Sequence, residues 1–256
     1  MIPNLPTPIL GDIVALTINT PDLEASLQYY QKLGFKELFR ADWPFAWIQV
    51  TDEALLIMLR KSEDPYLALT YYTTDSGKVA AELEKRGISF LSKPGKGDMI
   101  QRYVFQSPDG LTISLVTIPM GFRKPSGNTM LTMNPADYAN PATYTNQVAG
   151  MFGELAHPVT DLESSLPFWE KIGFNVLSKF ASPYPWAIVS DGLGIVGLHQ
   201  STHFDFPAIT FFAADMKDKI EQLKNNGLEN FKEKGPANVV LTTPEQQHIF
   251  LFGMGM

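Results

Sequence analysis

No cysteine occurs in the 256 residues. Disulfides, thiolate metal ligands and thiol nucleophiles are therefore excluded together. Long hydrophobic runs are also missing, and no stretch approaches the roughly 18 apolar residues that span a bilayer. The opening segment MIPNLPTPILGD has no basic region leading into an apolar one, so no signal peptide is read. The expectation is a soluble cytoplasmic protein. No run of Lys or Arg is present, and the net charge is −7 with a pI near 5.1. Nucleic acid, which requires clustered cations, is not an expected partner, and neither is an anionic membrane surface. There is no Gly-rich phosphate loop, no G-x-S-x-G elbow and no H-E-x-x-H.

What is present is repetition. Residues 22–35 read DLEASLQYYQKLGF and residues 161–174 read DLESSLPFWEKIGF. Fainter copies lie at 75–88 and 215–228. All four open on Asp (Asp22, Asp75, Asp161, Asp215) and place Gly twelve residues later (Gly34, Gly87, Gly173, Gly227). Apolar residues at Leu23, Leu27, Tyr30 and at Leu162, Leu166, Trp169 follow helical spacing. Asp suits the positive end of a helix dipole, Thr160 with Glu163 can form a capping box, and Gly can terminate the helix. Strand candidates precede each helix at Asp12–Asn19, Leu67–Thr73, Gly153–Val159 and Ala208–Ala213, and strand-like runs follow each. The unit is a strand, a helix and further strands, repeated four times. Residues 120–148, rich in Pro, Gly, Asn and Thr, read as a linker.

The helix phrase after an opening strand, with a later SPDGLTISL, resembles the vicinal oxygen chelate superfamily of glyoxalases, extradiol dioxygenases and antibiotic-binding resistance proteins. The resemblance covers nearly all of residues 10–118 and 150–253. It implies an α+β fold of four βαβββ modules. These would form two glyoxalase/bleomycin-resistance type domains, at 1–119 and 149–256, with curved mixed sheets around clefts. It also implies where a metal would be held. Metal enzymes of the superfamily use His, Glu or Gln, placed seven residues before the helix-opening Asp and on the last strand of each module. Here those positions hold Ala15, Ala68, Glu154 and Ala208, then Met58, Ser114, Gly197 and Phe250. Shifting by two residues keeps the strand face and adds only His248. A divalent cation wants three or four donors, so no metal cofactor is expected unless the chain is an enzyme after all.

Glu154 and His248 are expected to share the cleft-facing side of adjacent strands. They would act as an acid–base pair or as two ligands of an incomplete metal site; the alternatives are a hydrogen bond at a cavity edge or no contact. His199 and His203 read as surface or loop residues, and His157 as packing on the helix side. Trp47 and Trp186 occupy equivalent places in the two halves, where flat rings either wall a cleft for a planar or apolar ligand or fill the core. Arg102 either anchors an anionic group or is simply exposed. The expected function is small-molecule binding with a degenerate metal site. The alternative is a lyase, isomerase or dioxygenase of the glyoxalase class using Glu154 and His248. The halves are expected to pair as a pseudo-dimer within one chain, whatever further homo-oligomer forms. Because Ala15 aligns with Glu154, Thr112 with His248 and Arg60 with His199, the more polar and dominant site is expected in the C-terminal half.

Overall fold

The acidic residue that opens each repeat is a helix cap in three of the four. The computed structural model describes residues 5–118, 130 and 137–253. Helices run at α1 Leu23–Lys32, α2 Ser76–Lys85, α3 Leu162–Lys171 and α4 Met216–Asn225. Asp22 accepts from the N–H groups of Glu24 and Ala25, Asp75 from Lys78 and Asp161 from Ser164. Asp215 makes no side-chain cap bond, and its carboxylate lies 3.5 Å from Lys219. The expected Thr160–Glu163 capping box does not form, because Asp161 takes the N-cap position. The Thr160 N–H donates to Asp109, and Glu163 pairs with Lys179. All four terminal glycines adopt φ between +74° and +94°, the left-handed region that ends a helix.

Each helix follows a central strand: β1 Ile13–Thr20, β5 Leu67–Thr73, β8 Met151–Pro158 and β12 Ala208–Phe212. The other strands are β2 Lys36–Ala41, β3 Trp47–Thr51, β4 Leu56–Lys61, β6 Arg102–Gln106 and β7 Thr112–Thr117 in the first half. The second half adds β9 Asn175–Phe180, β10 Trp186–Ser190, β11 Ile195–His199, β13 Phe231–Gly235, β14 Asn238–Thr242 and β15 His248–Phe252. One mixed sheet has the order β2-β3-β4-β1-β5-β7-β6, the other β13-β14-β15-β12-β8-β11-β10-β9. The fold is therefore α+β, with two similar glyoxalase-type domains. The second module departs from βαβββ: after α2 it has two full strands rather than three. The segment where the missing edge strand would lie, FLSKPGKGDMI, carries Pro94 and two glycines and makes only the bridge Ser92–Val104.

Alternation sorts the side chains of the first sheet. Val14, Leu16 and Ile18 face the helices, while Ile13, Ala15 and Thr17 face the concave side. The helix-side residues of both sheets merge into one buried cluster, with Phe35 against Phe211 and Phe105 near Phe168. Contacts between the halves are reciprocal. Lys32 at the end of α1 donates to the Gly227 carbonyl after α4, and Arg86 after α2 donates to the Lys171 carbonyl at the end of α3. Residues 120–129 and 131–136 of the expected linker lie outside the described residues. Its described end is anchored: Asn146 is buried and donates to the Leu33 carbonyl and the Asp52 carboxylate, both in the first half.

His157, on the helix side of β8, is buried, and its Nε2 lies 3.4 Å from the Ser107 hydroxyl of the first half. Burial, and then the charge of His199, push its pKa down from 6.5 to about 4 against the pull of Asp109. A buried imidazole that resists protonation makes the folded state bind fewer protons than the unfolded chain below pH 6.5. Stability is then full above that pH and lost as pH falls from about 6.5 to 4. The loss is on the order of 2–3 kcal/mol. Denaturant titrations from pH 7 to 4 check this, and His157→Gln is expected to remove that part of the acid slope.

Candidate functional site

The concave faces of the two sheets are built from equivalent strands but filled differently. In the N-terminal domain a cavity of about 410 Å³ opens over β1, β4, β5 and β7. Its floor is a row of buried hydroxyls contributed by three neighbouring strands. Thr17 and Thr70 are 2.8 Å apart, as are Thr70 and Ser114. Trp47 on β3 forms one wall, backed by Phe39 at 5.4 Å, and Phe45 and Met58 continue it. Arg60 stands directly across from Trp47 in the β3–β4 register. Its Nε donates to Asn19 at 2.8 Å, and its guanidinium lies 5.6 Å from the Phe45 ring and 5.1 Å from the Tyr66 ring. Arg102, at the start of β6, lines the same cavity. Burial, followed by the charge of Arg102, pushes the pKa of Arg60 down. The segment replacing the missing edge strand supplies the rim, through Ser92, Asp98 and Ile100.

In the C-terminal domain aromatic rings occupy the corresponding face. Phe180 stacks on Trp186 at 4.2 Å, and Trp186 lies parallel to His199 at 5.5 Å. Phe204, Phe206, Phe250 and Phe252 pack together around Ala156 and Ala208. Within this face Glu154 and His199 form a buried pair, Oε1 to Nε2 at 2.6 Å, and the Tyr184 hydroxyl lies 3.3 Å from the other ring nitrogen of His199. The Glu154 carboxylate occupies the space a side chain at Gly197 would need: an added Cβ there would stand 2.1 Å from Oε2. The strand pairings make the substitutions explicit. Arg60 is matched by His199, Arg102 by Asn238 and Ser114 by Phe250.

The sequence-derived residues thus fall into two groups. Trp47 and Arg102 are brought together in the N-terminal cavity, whereas Trp186 is held in the aromatic stack. Glu154 and His248 are not brought together. β12 lies between their strands, and His248 pairs across from Ala208 while stacking on Phe206 at 3.6 Å. Burial pushes the pKa of His248 down, with Asp205 opposing and Lys232 adding to the fall. His199 is corrected from a surface residue to a buried one, because β10 and β8 flank its strand on both sides. On the concave faces an open cavity lies in the N-terminal half, whereas the expectation placed the more polar site in the C-terminal half. The polar residues of the C-terminal half pair with each other or stack, and phenylalanines take the remaining space. Arg60, Tyr66 and the hydroxyl row went unrecognised. The signal was strand parity, since Thr17 and Arg60 fall on the side of Ala15 and Met58 rather than on the apolar side.

The family's metal positions can be tested on these side chains. Ala15 and Ala68 offer no donor atom, Ser114 spends its hydroxyl on Thr70, and Met58 is a lone thioether. In the second half Glu154 is hydrogen-bonded to His199, Gly197 has no side chain, and Phe250 stacks on Phe252. Among the described residues no three His, Asp or Glu side chains converge. This donor set does not fit a divalent cation.

Residues 12–115 match the model of the Glyoxalase/Bleomycin resistance protein/Dioxygenase superfamily. The sequence matches no curated protein. Solved structures share the two-domain fold at low identity. The 2,3-dioxygenase LapB from Pseudomonas sp. KL28 is 15% identical with a TM-score of 0.59, over 96% of this chain and 94% of that one. Homoprotocatechuate 2,3-dioxygenase from Arthrobacter globiformis is 14% identical with a TM-score of 0.61, over 99% and 83%. An extradiol ring-cleaving dioxygenase from B. fuscum is 15% identical with a TM-score of 0.56, over 98% and 73%.

Proposed function

We propose that this chain, a member of the glyoxalase/bleomycin resistance protein/dioxygenase superfamily, binds a small organic molecule in its N-terminal cavity without a metal held by protein side chains. The observation that carries this is the pairing of an open, aromatic-walled cavity of about 410 Å³ with ligand positions that have become Ala15, Met58, Ala68 and Ser114. The cavity lies in the size range of small-molecule sites. Occupation of the folded state alone raises the melting temperature by mass action. A thermal-shift screen of native and chelator-treated protein, with elemental analysis of both, tests the reading. Compounds that raise Tm equally in both samples are the expected result. Near-stoichiometric Fe, Mn, Ni or Zn whose removal abolishes the shift would overturn it.

A glyoxalase-class enzyme is the second reading, and the 2.6 Å Glu154–His199 contact favours it, since a buried carboxylate–imidazole pair can move a proton. In this reading His199 takes the place beside Glu154 first given to His248, and His248 enters only where a substrate spans both positions. Unchanged turnover in a Glu154→Ala, His199→Ala variant would end it. A cytoplasmic location, an intramolecular pseudo-dimer and further homo-oligomers form part of the same proposal. Among the described residues no helix is long and apolar enough to cross a membrane.

A further inference from the structure

We infer that the ligand of the N-terminal cavity is a planar organic anion, an aromatic carboxylate, held between Arg60 and Arg102 with its ring against Trp47 and Phe45. This rests on the reading of that cavity as the binding site. The chain as a whole is acidic, at −7, yet the cavity lining holds Arg60, Lys61, Lys93 and Arg102 against the single carboxylate of Asp98. That carboxylate accepts from the Gly95 N–H, and Lys93 is paired with Glu84. The other two described arginines are in ion pairs, Arg40 with Glu24 and Glu37, and Arg86 with Glu82. Among the described residues Arg60 and Arg102 have no acidic partner. Two neighbouring cations without a counter-ion, one of them largely withdrawn from water, leave positive potential that an anion would neutralise.

The geometry of Arg60 narrows the anion. Asn19 holds Nε, and the Phe45 and Tyr66 rings lie within 5.6 Å and 5.1 Å of the guanidinium carbon. The side chain is thereby fixed while its two terminal nitrogens bond no described residue. That remaining fork matches the two oxygens of a carboxylate. The rest of the lining is unsuited to a fully hydrated inorganic ion, because Trp47, Phe45, Met58 and Val116 present apolar surface beside the cations. At the floor, Thr17, Thr70 and Ser114 are linked by two hydrogen bonds, and Thr17 also bonds the Tyr72 side chain. Equivalent positions in the other domain hold His199 and Asn238, so no second copy of this charge arrangement exists there.

Titration calorimetry of the full chain with benzoate and phenylacetate, against benzamide and phenylacetamide, tests the inference. The carboxylates should bind at least about tenfold more tightly than their amides. Arg60→Met and Arg102→Met should each weaken the carboxylates roughly 10–100-fold, the worth of one charge-assisted pair, while leaving the amides within about twofold. Arg60→Lys, which keeps the charge and loses the fork, should fall between, and a cooperative thermal transition confirms that each variant is folded. Amides binding as tightly as carboxylates, or variants that weaken both alike, would overturn the anion assignment and leave the cavity reading standing. So would a failure of all four probes while other neutral compounds raise Tm. If no compound of any class binds the cavity, both readings fall.

Discussion

Asn146→Ala is expected to cost roughly 2–4 kcal/mol, lowering Tm on the order of 5–15 °C. The side chain is buried and makes four bonds that no other group can replace. Its Nδ2 donates to the Leu33 carbonyl at 2.9 Å and to Asp52 at 3.1 Å, and its Oδ1 accepts the N–H groups of Val148 and Ala149 at 2.9 and 2.8 Å. Truncation leaves those N–H groups and the Asp52 carboxylate short of partners inside the protein, where unsatisfied polar groups are expensive. Burial already pushes the Asp52 pKa up, with the Asn146 bond among the contacts opposing it. Losing that bond raises it further, so the variant's deficit is largest where Asp52 is ionised and shrinks as pH falls through the carboxylate range. Because Leu33 and Asp52 lie in the first domain and Asn146 lies in the segment leading into the second, amide exchange should quicken near Leu33 and Val148 before the sheet centres open. A change smaller than about 1 kcal/mol would show that Asn146 is not the clamp described.

Gly197→Ala should cost a comparable 2–4 kcal/mol for a different reason. The new methyl would stand 2.1 Å from Glu154 Oε2 and 2.3 Å from its carboxyl carbon. A long exposed side chain would swing aside at little cost, but Glu154 is buried and hydrogen-bonded to His199, itself parallel to Trp186. The carboxylate must leave His199 or the strand must shift. A double-mutant cycle isolates the cause: once Glu154→Ala has removed the carboxylate, adding Gly197→Ala should cost less than about 1 kcal/mol. Additive losses would mean that the strain lies in the backbone of β11 instead.

Much of the fold was legible because each level repeated the same instruction. Aspartate capped, apolar residues recurred at helical spacing, and glycine left the helix at positive φ, in modules that could be aligned by eye. The edge strands β2, β9 and β13 were the least visible, being largely exposed and carrying no apolar run. In the second module, Pro94 and its neighbouring glycines interrupted the edge strand that would follow α2, a loss the repeat pattern alone did not reveal.

The sites were less legible. Trp47 and Arg102 were legible as candidates by residue type, but which cleft stays open depends on volumes across neighbouring strands, and no single strand encodes them. Phe250 in place of Ser114, and Phe252 in place of Val116, fill one face and leave the other open. The pairing of Glu154 with His248 failed because it rested on strand adjacency, and β12 separates them. His199 was closer to Glu154 all along, reached over the bare backbone of Gly197.

Metal-independent binding in the N-terminal cavity is tested most directly by calorimetric titration of benzoate into chelator-treated full-length protein, alongside untreated protein and Arg60→Met. One site per chain is expected, with the same affinity before and after chelation and a loss of roughly 10–100-fold in the variant. Binding that disappears on chelation and returns with an added divalent metal would contradict it, as would two equal, independent sites per chain.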